Sequence, residues 1–161
     1  MNAVKMLKQQ HREVEKLFKE LEAAKSAGPK LKTFNEIADA LAVHATIEER
    51  HFYPGVKQRQ TEEILLESVE EHLEIKRAIA DLLQLEPDED TFEAKVKVLQ
   101  EDIEHHVEEE ESELFPKVEK LFEAEELEAI GAAMEETAEE LKSEGNPRDA
   151  IPGETDAAAP I

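Results

Sequence analysis

The sequence predicts an all-α protein: an antiparallel, up-down-up-down four-helix bundle with a short fifth helix at the C-terminal end. Two observations support this fold class. Apolar residues recur at steps of three and four in four long segments, and stretches that contain Gly or Pro separate these segments. The chain has 161 residues, which is enough for one hydrophobic core. We therefore predict a bundle domain over residues 1–142 and a disordered tail over residues 143–161.

The first two predicted helices form a hairpin. The stretch SAGP at 26–29 ends the first helix, because Gly and Pro are helix stop signals. The second helix continues until Pro54 interrupts it. Both helices carry one apolar stripe that also contains polar residues. The stripes consist of Val4, Leu7, His11, Val14, Phe18 and Leu21 in the first helix, and of Phe34, Ile37, Leu41, His44 and Glu48 in the second.

The third and fourth predicted helices form a second hairpin around the turn LEPDED at 85–90. The third helix begins after Thr61, and Pro116 closes the fourth. A fifth amphipathic helix follows at 122–142, and the Pro-, Gly- and Ala-rich remainder shows no period. The stripes consist of Leu65, Val69, His72, Ile75, Ile79 and Leu82, then of Phe92, Val96, Leu99, Ile103, His106, Glu110 and Leu114, and last of Leu127, Ile130, Met134 and Leu141.

Composition excludes several classes of function. The 41 acidic and 19 basic residues give a formal charge of -22, which repels phosphate backbones and anionic lipids, so we expect no nucleic-acid and no membrane partner. A protein partner is not indicated. Without Cys there is no thiolate ligand, so a metal would be held by His, carboxylate or Tyr. No signal peptide or membrane-spanning segment is predicted, and we expect a cytoplasmic protein.

An internal repeat relates the two hairpins. HATIEERHFYP at 44–54 aligns without a gap with HVEEEESELFP at 106–116, and QHREVEKLFKEL at 10–21 aligns with EHLEIKRAIADL at 71–82. Each hairpin therefore carries a single His on its first helix and a His-x-x-x-Glu motif on its second. Residues four apart lie on one face of a helix, and in both motifs that face is the apolar stripe.

The repeat places both glutamate carboxylates on the apolar, core-facing side of their helices. An unpaired charge there would lower the free energy of unfolding by several kcal/mol. A cation shared with the histidines would compensate them. A nitrogen and oxygen ligand set suits iron or manganese, and zinc less specifically. If both glutamates bridge two ions, an additional oxide or hydroxide bridge would leave about two positions open. A single buried His is more often a core residue, but the repeat favours a metal site formed by His11, His44, Glu48, His72, His106 and Glu110.

Four pieces of sequence resemble the hemerythrin-like proteins of the HHE cation-binding domain family. These are LKQQH at 7–11, EHLEI at 71–75 and the two aligned motifs, in the same order and spacing. The resemblance implies a centre of two non-haem iron ions with an oxo or hydroxo bridge, held by the six residues named above; manganese or zinc is less favoured. It also implies a small ligand such as dioxygen, peroxide or nitric oxide.

The chain departs from the oxygen-carrying members of that family. Those proteins have a fifth His where this chain has Lys76, which argues against reversible oxygen carriage. His51 is the best candidate for a fifth histidine ligand, and we expect His105 to lie on the surface or beside a ligand. Tyr53 could approach the metals, but its position favours packing against the end of the bundle. Glu49 and Glu111 are expected to be hydrogen-bonding or solvated groups.

Three functional hypotheses follow. The first is a di-iron protein that binds or reacts with a small oxidant. The second, an enzyme, would decompose peroxide or reduce nitric oxide at the same centre, and the sequence does not decide between catalysis and binding. The third is an iron- or oxygen-responsive sensor or scaffold, whose folding or partner binding depends on metal occupancy.

Overall fold

The computed structural model describes residues 1–161 and contains helices but no strands. The elements are α1 (Ala3–Ala23), α2 (Ala27–Ile47), a π-helical turn π1 (Glu48–Phe52), α3 (Tyr53–Gly55), α4 (Glu62–Leu82), α5 (Asp90–Glu109), a second π-helical turn π2 (Glu110–Leu114), α6 (Phe115–Leu121), α7 (Ala124–Ser143) and a 3-10 helix, here named the C-terminal segment (Pro147–Glu154).

The predicted four-helix bundle is confirmed. The helix α1 packs against α2, and α4 packs against α5, so the two halves of the sequence repeat form two helical hairpins. The fifth helix, α7, has 20 residues and packs against α1 and α2. No helix is both long enough and apolar enough to cross a bilayer.

Local sequence sets where the helices begin. The side chain of Asn2 caps α1, because its Oδ1 accepts a hydrogen bond from the backbone N–H of Val4 at 2.9 Å. A capping box begins α7, in which Glu123 and Glu126 each bond the backbone of the other. These caps satisfy N–H groups that have no partner within the helix.

Two apolar clusters fill the bundle, one on each side of the histidine level. In α1, Val4 and Leu7 precede His11 and belong to the first cluster, whereas Val14 and Phe18 follow it and belong to the second. The helices α2 and α4 also divide near their histidines, whereas the apolar residues of α5 belong to the second cluster and those of π2 and α6, which follow it, to the first. The polar residues of the apolar stripes therefore form a layer between two hydrophobic cores.

Neither proline ends its helix, which corrects the sequence prediction. The N–H of Tyr53 bonds the carbonyl of Glu48, and the N–H of Phe115 bonds that of Glu110, so each proline follows a five-residue π turn. A π turn displaces the carbonyl that a proline ring would meet in a regular α-helix. The chain therefore remains helical, through α3 to Gly55 and through α6 to Leu121.

The C-terminal residues also differ from the prediction of a disordered tail. Within 143–161, the C-terminal segment packs against α2 and α4, and Ile151 is only 2% exposed in the second apolar cluster. Arg148 forms an ion pair with Asp39 of α2 at 2.8 Å. A 3-10 helix with one buried residue produces no long hydrophobic period, so the pattern gave no sign of it.

The close contact between α7 and the start of α1 predicts the effect of a single methyl group. A Cβ at Gly131 would lie 1.8 Å from the carbonyl oxygen of Met1, so the backbone must shift. We expect Gly131→Ala to lower the free energy of unfolding by roughly 1–3 kcal/mol, measured by urea denaturation. Gly28→Ala is the control, because nothing lies within 4 Å of that position. Equal stability of the two variants would contradict this contact.

Candidate metal centre

The six side chains of the predicted site meet in the middle of the bundle. Each long helix contributes one imidazole, and the first residue of each π turn contributes a carboxylate. Glu48 and Glu110 are 0% exposed, and none of the four histidines exceeds 6%. The buried set is His11, His44, Glu48, His72, His106 and Glu110.

The first group of potential ligands combines residues from both hairpins. The four ligand atoms belong to His11, His44, Glu48 and Glu110 and lie within 4.8 Å of one another. Glu48 Oε1 is 2.8 Å from His44 Nε2, and Glu110 Oε1 is 3.3 Å from His11 Nε2. Two imidazole nitrogens and two carboxylate oxygens therefore surround one point.

The second group shares Glu48 with the first. It consists of Glu48, His72 and His106, again with ligand atoms within 4.8 Å of one another. Glu48 Oε2 lies 2.9 Å from His72 Nε2, so Glu48 offers one oxygen to each group. Glu110 Oε1 is equally near His106 and His11, at 3.3 Å from each Nε2 atom. Both carboxylates thus lie between histidines of the two hairpins.

Hydrogen bonds on the outer side of each imidazole fix its orientation. His11, His72 and His106 place Nδ1 2.7–2.8 Å from a carboxylate oxygen, and His44 places it 2.7 Å from an amide oxygen. Since these oxygens accept, Nδ1 carries the hydrogen and the Nε2 lone pair of a neutral ring points into the pocket. The four acceptors are Glu111, Gln10, Glu49 and Glu71, in the order of their histidines.

Buried polar atoms without a hydrogen-bond partner support a cation in this pocket. They are His11 Nε2, His44 Nε2, Glu48 Oε1 and Glu110 Oε1, which are the atoms of the first group. His44 and Glu48 approach to 2.8 Å without hydrogen-bond alignment. In the second group, His72 Nε2 and His106 Nε2 are 3.1 Å apart, which two lone pairs tolerate only with a proton or cation between them. The donor set therefore fits a pair of metal ions.

Charges in the pocket oppose the effect of burial on each pKa. Burial and the neighbouring Glu48 raise the pKa of Glu110, but His106 and other imidazoles outweigh them and bring it to about 2. The pKa of Glu48 is also lowered, mainly by His44 and despite its burial. Burial lowers the pKa of His106, but Glu110 and Glu48 raise it well above its usual value. The pocket therefore favours ionised carboxylates with protons or metal ions between them.

Tyr53 belongs to the centre, contrary to the predicted packing role. Its hydroxyl lies 2.7 Å from Glu48 Oε2, 3.0 Å from Glu110 Oε2 and 3.1 Å from His72 Nε2. Burial, followed by the two carboxylates, raises the pKa of Tyr53 well above 10, so the phenol stays protonated. In an α-helix, residues five apart point in different directions, but the π turn returns Tyr53 to the face of Glu48.

The same π turn removes His51 from the site. His51 Nε2 lies 2.7 Å from Thr137 Oγ1 of α7, so the structure does not place His51 in either ligand group. In a regular α-helix, with 100° per residue, His51 would lie on the face of His44 seven residues before it, but a π turn advances less per residue. Lys76 does not contact the potential ligand atoms either, because its Nζ lies 2.8 Å from Glu49 Oε1.

The remaining polar candidates lie around the centre. Glu49 and Glu111 hold histidine Nδ1 atoms, as their predicted hydrogen-bonding role requires. His105 is 64% exposed at its side chain and lies 3.4 Å from both Glu71 and Glu109 on the surface. Burial and the adjacent Glu71 raise the pKa of Glu109 to about 7.

The two halves of the centre differ at two repeated positions. Where the first hairpin has Tyr53, the second has Phe115, whose ring stacks on His11 with centroids 5.9 Å apart and an interplanar angle of 7°. Tyr53 instead brings a hydroxyl against His72. The second difference is a hydrogen-bond acceptor, since His44 bonds the amide oxygen of Gln10 whereas His106 bonds a carboxylate oxygen of Glu71.

Comparisons with known proteins identify the family and agree with the fold. The model of the family described as hemerythrin HHE cation binding domain matches residues 2–118. A crystal structure of a hemerythrin HHE cation binding domain-containing protein from Mycobacterium kansasii has a TM-score of 0.78, with 23% sequence identity. The similarity covers 94% of this chain and 97% of the other, and at this identity it supports the fold alone.

A curated relative matches over a shorter part of its own length. The protein named DNA nickase from Nostoc sp. (strain PCC 7120 / SAG 25.82 / UTEX 2576) is 29% identical over 128 residues, which is 80% of this chain. The match covers 36% of that relative. The chain therefore spans little more than a third of the relative's length.

The raised imidazole pKa values predict a pH-dependent effect of metal. Protonated His11 and His106 stabilise the metal-free fold. This contribution is complete at pH values below 6.5, the pKa of each histidine in the unfolded chain, and it is lost as the pH rises through the raised pKa values of the folded chain. Metal binding needs unprotonated rings. We expect the rise in Tm on adding iron(II) or zinc to be larger at about pH 8 than at about pH 6, measured anaerobically by calorimetry.

Magnesium is the control for this measurement, since it prefers oxygen ligands and should change Tm little. A transition-metal effect on Tm that is equal or smaller at the higher pH would contradict the assigned protonation states.

The contacts of Tyr53 predict the cost of removing its hydroxyl. Tyr53→Phe should keep the fold, because Phe115 occupies the equivalent position, and should lower the free energy of unfolding of the metal-free chain by about 1.5–3 kcal/mol, as expected for a hydrogen bond to a charged acceptor. Thr137→Val, which removes a buried hydroxyl bonded to His51 outside the centre, should cost less. Chemical denaturation measures both, and a smaller cost for Tyr53→Phe would refute the charged contact.

Proposed function

The chain belongs to the hemerythrin HHE cation-binding domain family, and from this membership and the pocket geometry we propose that it is a non-haem di-iron protein that binds or reacts with a small ligand. Dioxygen, nitric oxide and peroxide are the ligands of suitable size. The observation that carries the proposal is the set of four buried ligand atoms without hydrogen-bond partners.

The proposed ligands divide into two sets that share both glutamates. His11 and His44 would hold one ion, and His72 and His106 the other. Glu48 and Glu110 would bridge them, because each carboxylate lies close to histidines of both sets. A bound iron pair supplies one-electron changes and open coordination positions for a small ligand.

An internal cavity next to the histidines supports a small ligand. Its volume is about 80 Å³, and all four histidines line it. Its other walls are mostly aliphatic and include Ile75, Ile79 and Ile103. This volume exceeds what one water molecule requires but is below the ~150 Å³ of a cavity that holds benzene. The walls therefore favour a diatomic or similarly small molecule over an organic substrate.

The chain also offers a proton near the proposed ligand position. The Tyr53 hydroxyl has one hydrogen and three possible acceptors, Glu48, Glu110 and His72. It can donate to only one at a time. We propose that Tyr53 keeps this proton at rest and directs it toward whichever oxygen gains negative charge. Whether the outcome is ligand binding or catalytic turnover of peroxide or nitric oxide depends on this step.

A sensor role remains as a second candidate, because the proposed ligands come from all four long helices. Metal binding at such a centre couples directly to packing of the bundle. Partner binding that depends on metal occupancy would distinguish a sensor from a binding protein or enzyme. Chelation should then lower Tm and release the partner together.

DNA cleavage is not part of the function proposed for this chain, which matches only 36% of the relative named DNA nickase. The formal charge of -22 opposes a phosphate backbone. The expectation of no nucleic-acid partner therefore stays a prediction.

Iron content after substitution of a proposed bridging residue tests the function. We expect about two iron ions per chain after anaerobic loading, as in two-metal sites, and at most about one in Glu110→Gln, which keeps the shape of the side chain but removes its charge. Glu113→Gln is the matched control, since Glu113 is exposed in the same π turn and should leave the iron content unchanged.

Metal analysis measures the iron content of each variant, and an optical spectrum of the same samples is the second readout. A loaded chain with almost no iron, or equal iron contents in the two variants, would overturn the proposed centre.

A further inference from the structure

The cavity beside the histidines has one wall that is not part of the bundle. Pro147, Ala150, Ile151 and Glu154 of the C-terminal segment line the cavity together with residues of the long helices. The segment lies against both α2 and α4. It therefore covers the outer end of a cavity whose inner end is formed by imidazoles.

The opposite side of the centre is closed by aromatic packing. Phe52, Tyr53 and Phe115 are 0% exposed and belong to one apolar cluster. Opening that side would require separation of the two π turns from the core. A ligand has an easier path on the side of the C-terminal segment.

One buried apolar side chain and several polar contacts, among them the Arg148–Asp39 ion pair, hold the segment in place. Ile151 is its one buried side chain, and Glu154 Oε1 forms an ion pair with Lys76 Nζ at 3.0 Å. Near its start, the N–H of Arg148 donates to Asp39 Oδ1 at 3.0 Å. Segments with few buried apolar contacts open locally at lower free energy than core helices. The cover can therefore lift without unfolding of the bundle.

Lys76 connects the cover to the centre. Its Nζ also lies 2.8 Å from Glu49 Oε1, and Glu49 Oε2 lies 2.7 Å from Nδ1 of His72. The Lys76 side chain is only 9% exposed. The contacts thus run without a break from the segment to an imidazole of the proposed metal site.

We infer that the C-terminal segment is a releasable cover over the ligand cavity, held by the Lys76–Glu154 ion pair, and that small uncharged ligands enter when it lifts. The inference rests on the proposed function for the identity of the ligand, but not for the cavity or its cover. Lys76 is a positioning residue in this scheme, because it acts through Glu49 and Glu154.

A second route to the centre is the alternative that the test distinguishes. An open groove of about 560 Å³ between α1 and α5 also reaches His11, and the ion pair of Arg12 with Glu111 lies beside it. A ligand that used this groove would be insensitive to release of the C-terminal segment.

The test compares two charge-removing substitutions in the segment. Glu154→Gln removes the charge that Lys76 contacts, whereas Asp149→Asn removes an exposed charge of the same segment that forms no ion pair. Two quantities are measured on the full-length, iron-loaded chain without oxygen. They are the hydrogen exchange of backbone amides in 147–154 and the association rate of nitric oxide with the ferrous protein.

We expect Glu154→Gln to raise both rates by about two- to fivefold, the range expected for loss of a partly exposed ion pair. Asp149→Asn should raise neither. Ile151→Ala, which removes the buried anchor, should raise both by about tenfold or more. Faster amide exchange without faster association of nitric oxide would overturn the inference in favour of another route. Unchanged amide exchange in Glu154→Gln would overturn the role of the ion pair.

Failure of the proposed function gives a different result. If the chain holds no iron, nitric oxide yields no signal, and the entry rate of xenon into the full-length chain, measured by NMR, replaces it. Xenon is a small uncharged probe that binds at apolar cavity walls, such as those formed here by Ile75, Ile79 and Ile103. Faster xenon entry in Glu154→Gln than in Asp149→Asn would support the cover even then, and equal rates would overturn it.

Discussion

The structure depends on keeping two carboxylates ionised between two hydrophobic cores. Glu48 and Glu110 have no contact with solvent, and isolated charges at such positions would destabilise the fold by several kcal/mol. The surrounding imidazoles, and the outer hydrogen bonds that orient them, compensate these charges. Because the compensating groups come from every long helix, the register of the whole bundle is tied to one polar layer.

Repetition of a hairpin builds this layer, and two repeated positions break its symmetry. One of them places Gln10 in the first half and Glu71 in the second. Both halves supply the same histidines, the same glutamate and the same π turn. The aromatic residue that follows is Tyr53 in one half and Phe115 in the other, so only one histidine pair lies beside a hydroxyl. The two positions therefore offer different surroundings to a ligand, although the backbone repeats.

The sequence predicted those parts of the protein that follow regular helical periodicity. The four histidines and two glutamates were found because they occupy α-helical stripe positions, and the structure brings them together; their metal ligation stays a prediction. Tyr53 and His51 were misplaced because both lie in or just after a π turn, where the angle per residue changes. The signal was present as an aromatic residue five positions after each glutamate, followed by proline. The C-terminal segment was missed because a single anchor, Ile151, leaves no periodic pattern.

The two π turns have a consequence for how such a centre can diverge. Each is equivalent to an α-helix with one extra residue, accommodated by longer-range hydrogen bonding. Loss of one residue between Glu48 and Tyr53 would restore a uniform α-helix and place the tyrosine four positions after the glutamate, so both side chains would still share one face. A π turn with five-residue spacing and an α-helix with four-residue spacing are therefore equivalent ways to hold the phenol beside the carboxylate, and a length change of one codon can occur here without exchange of any ligand.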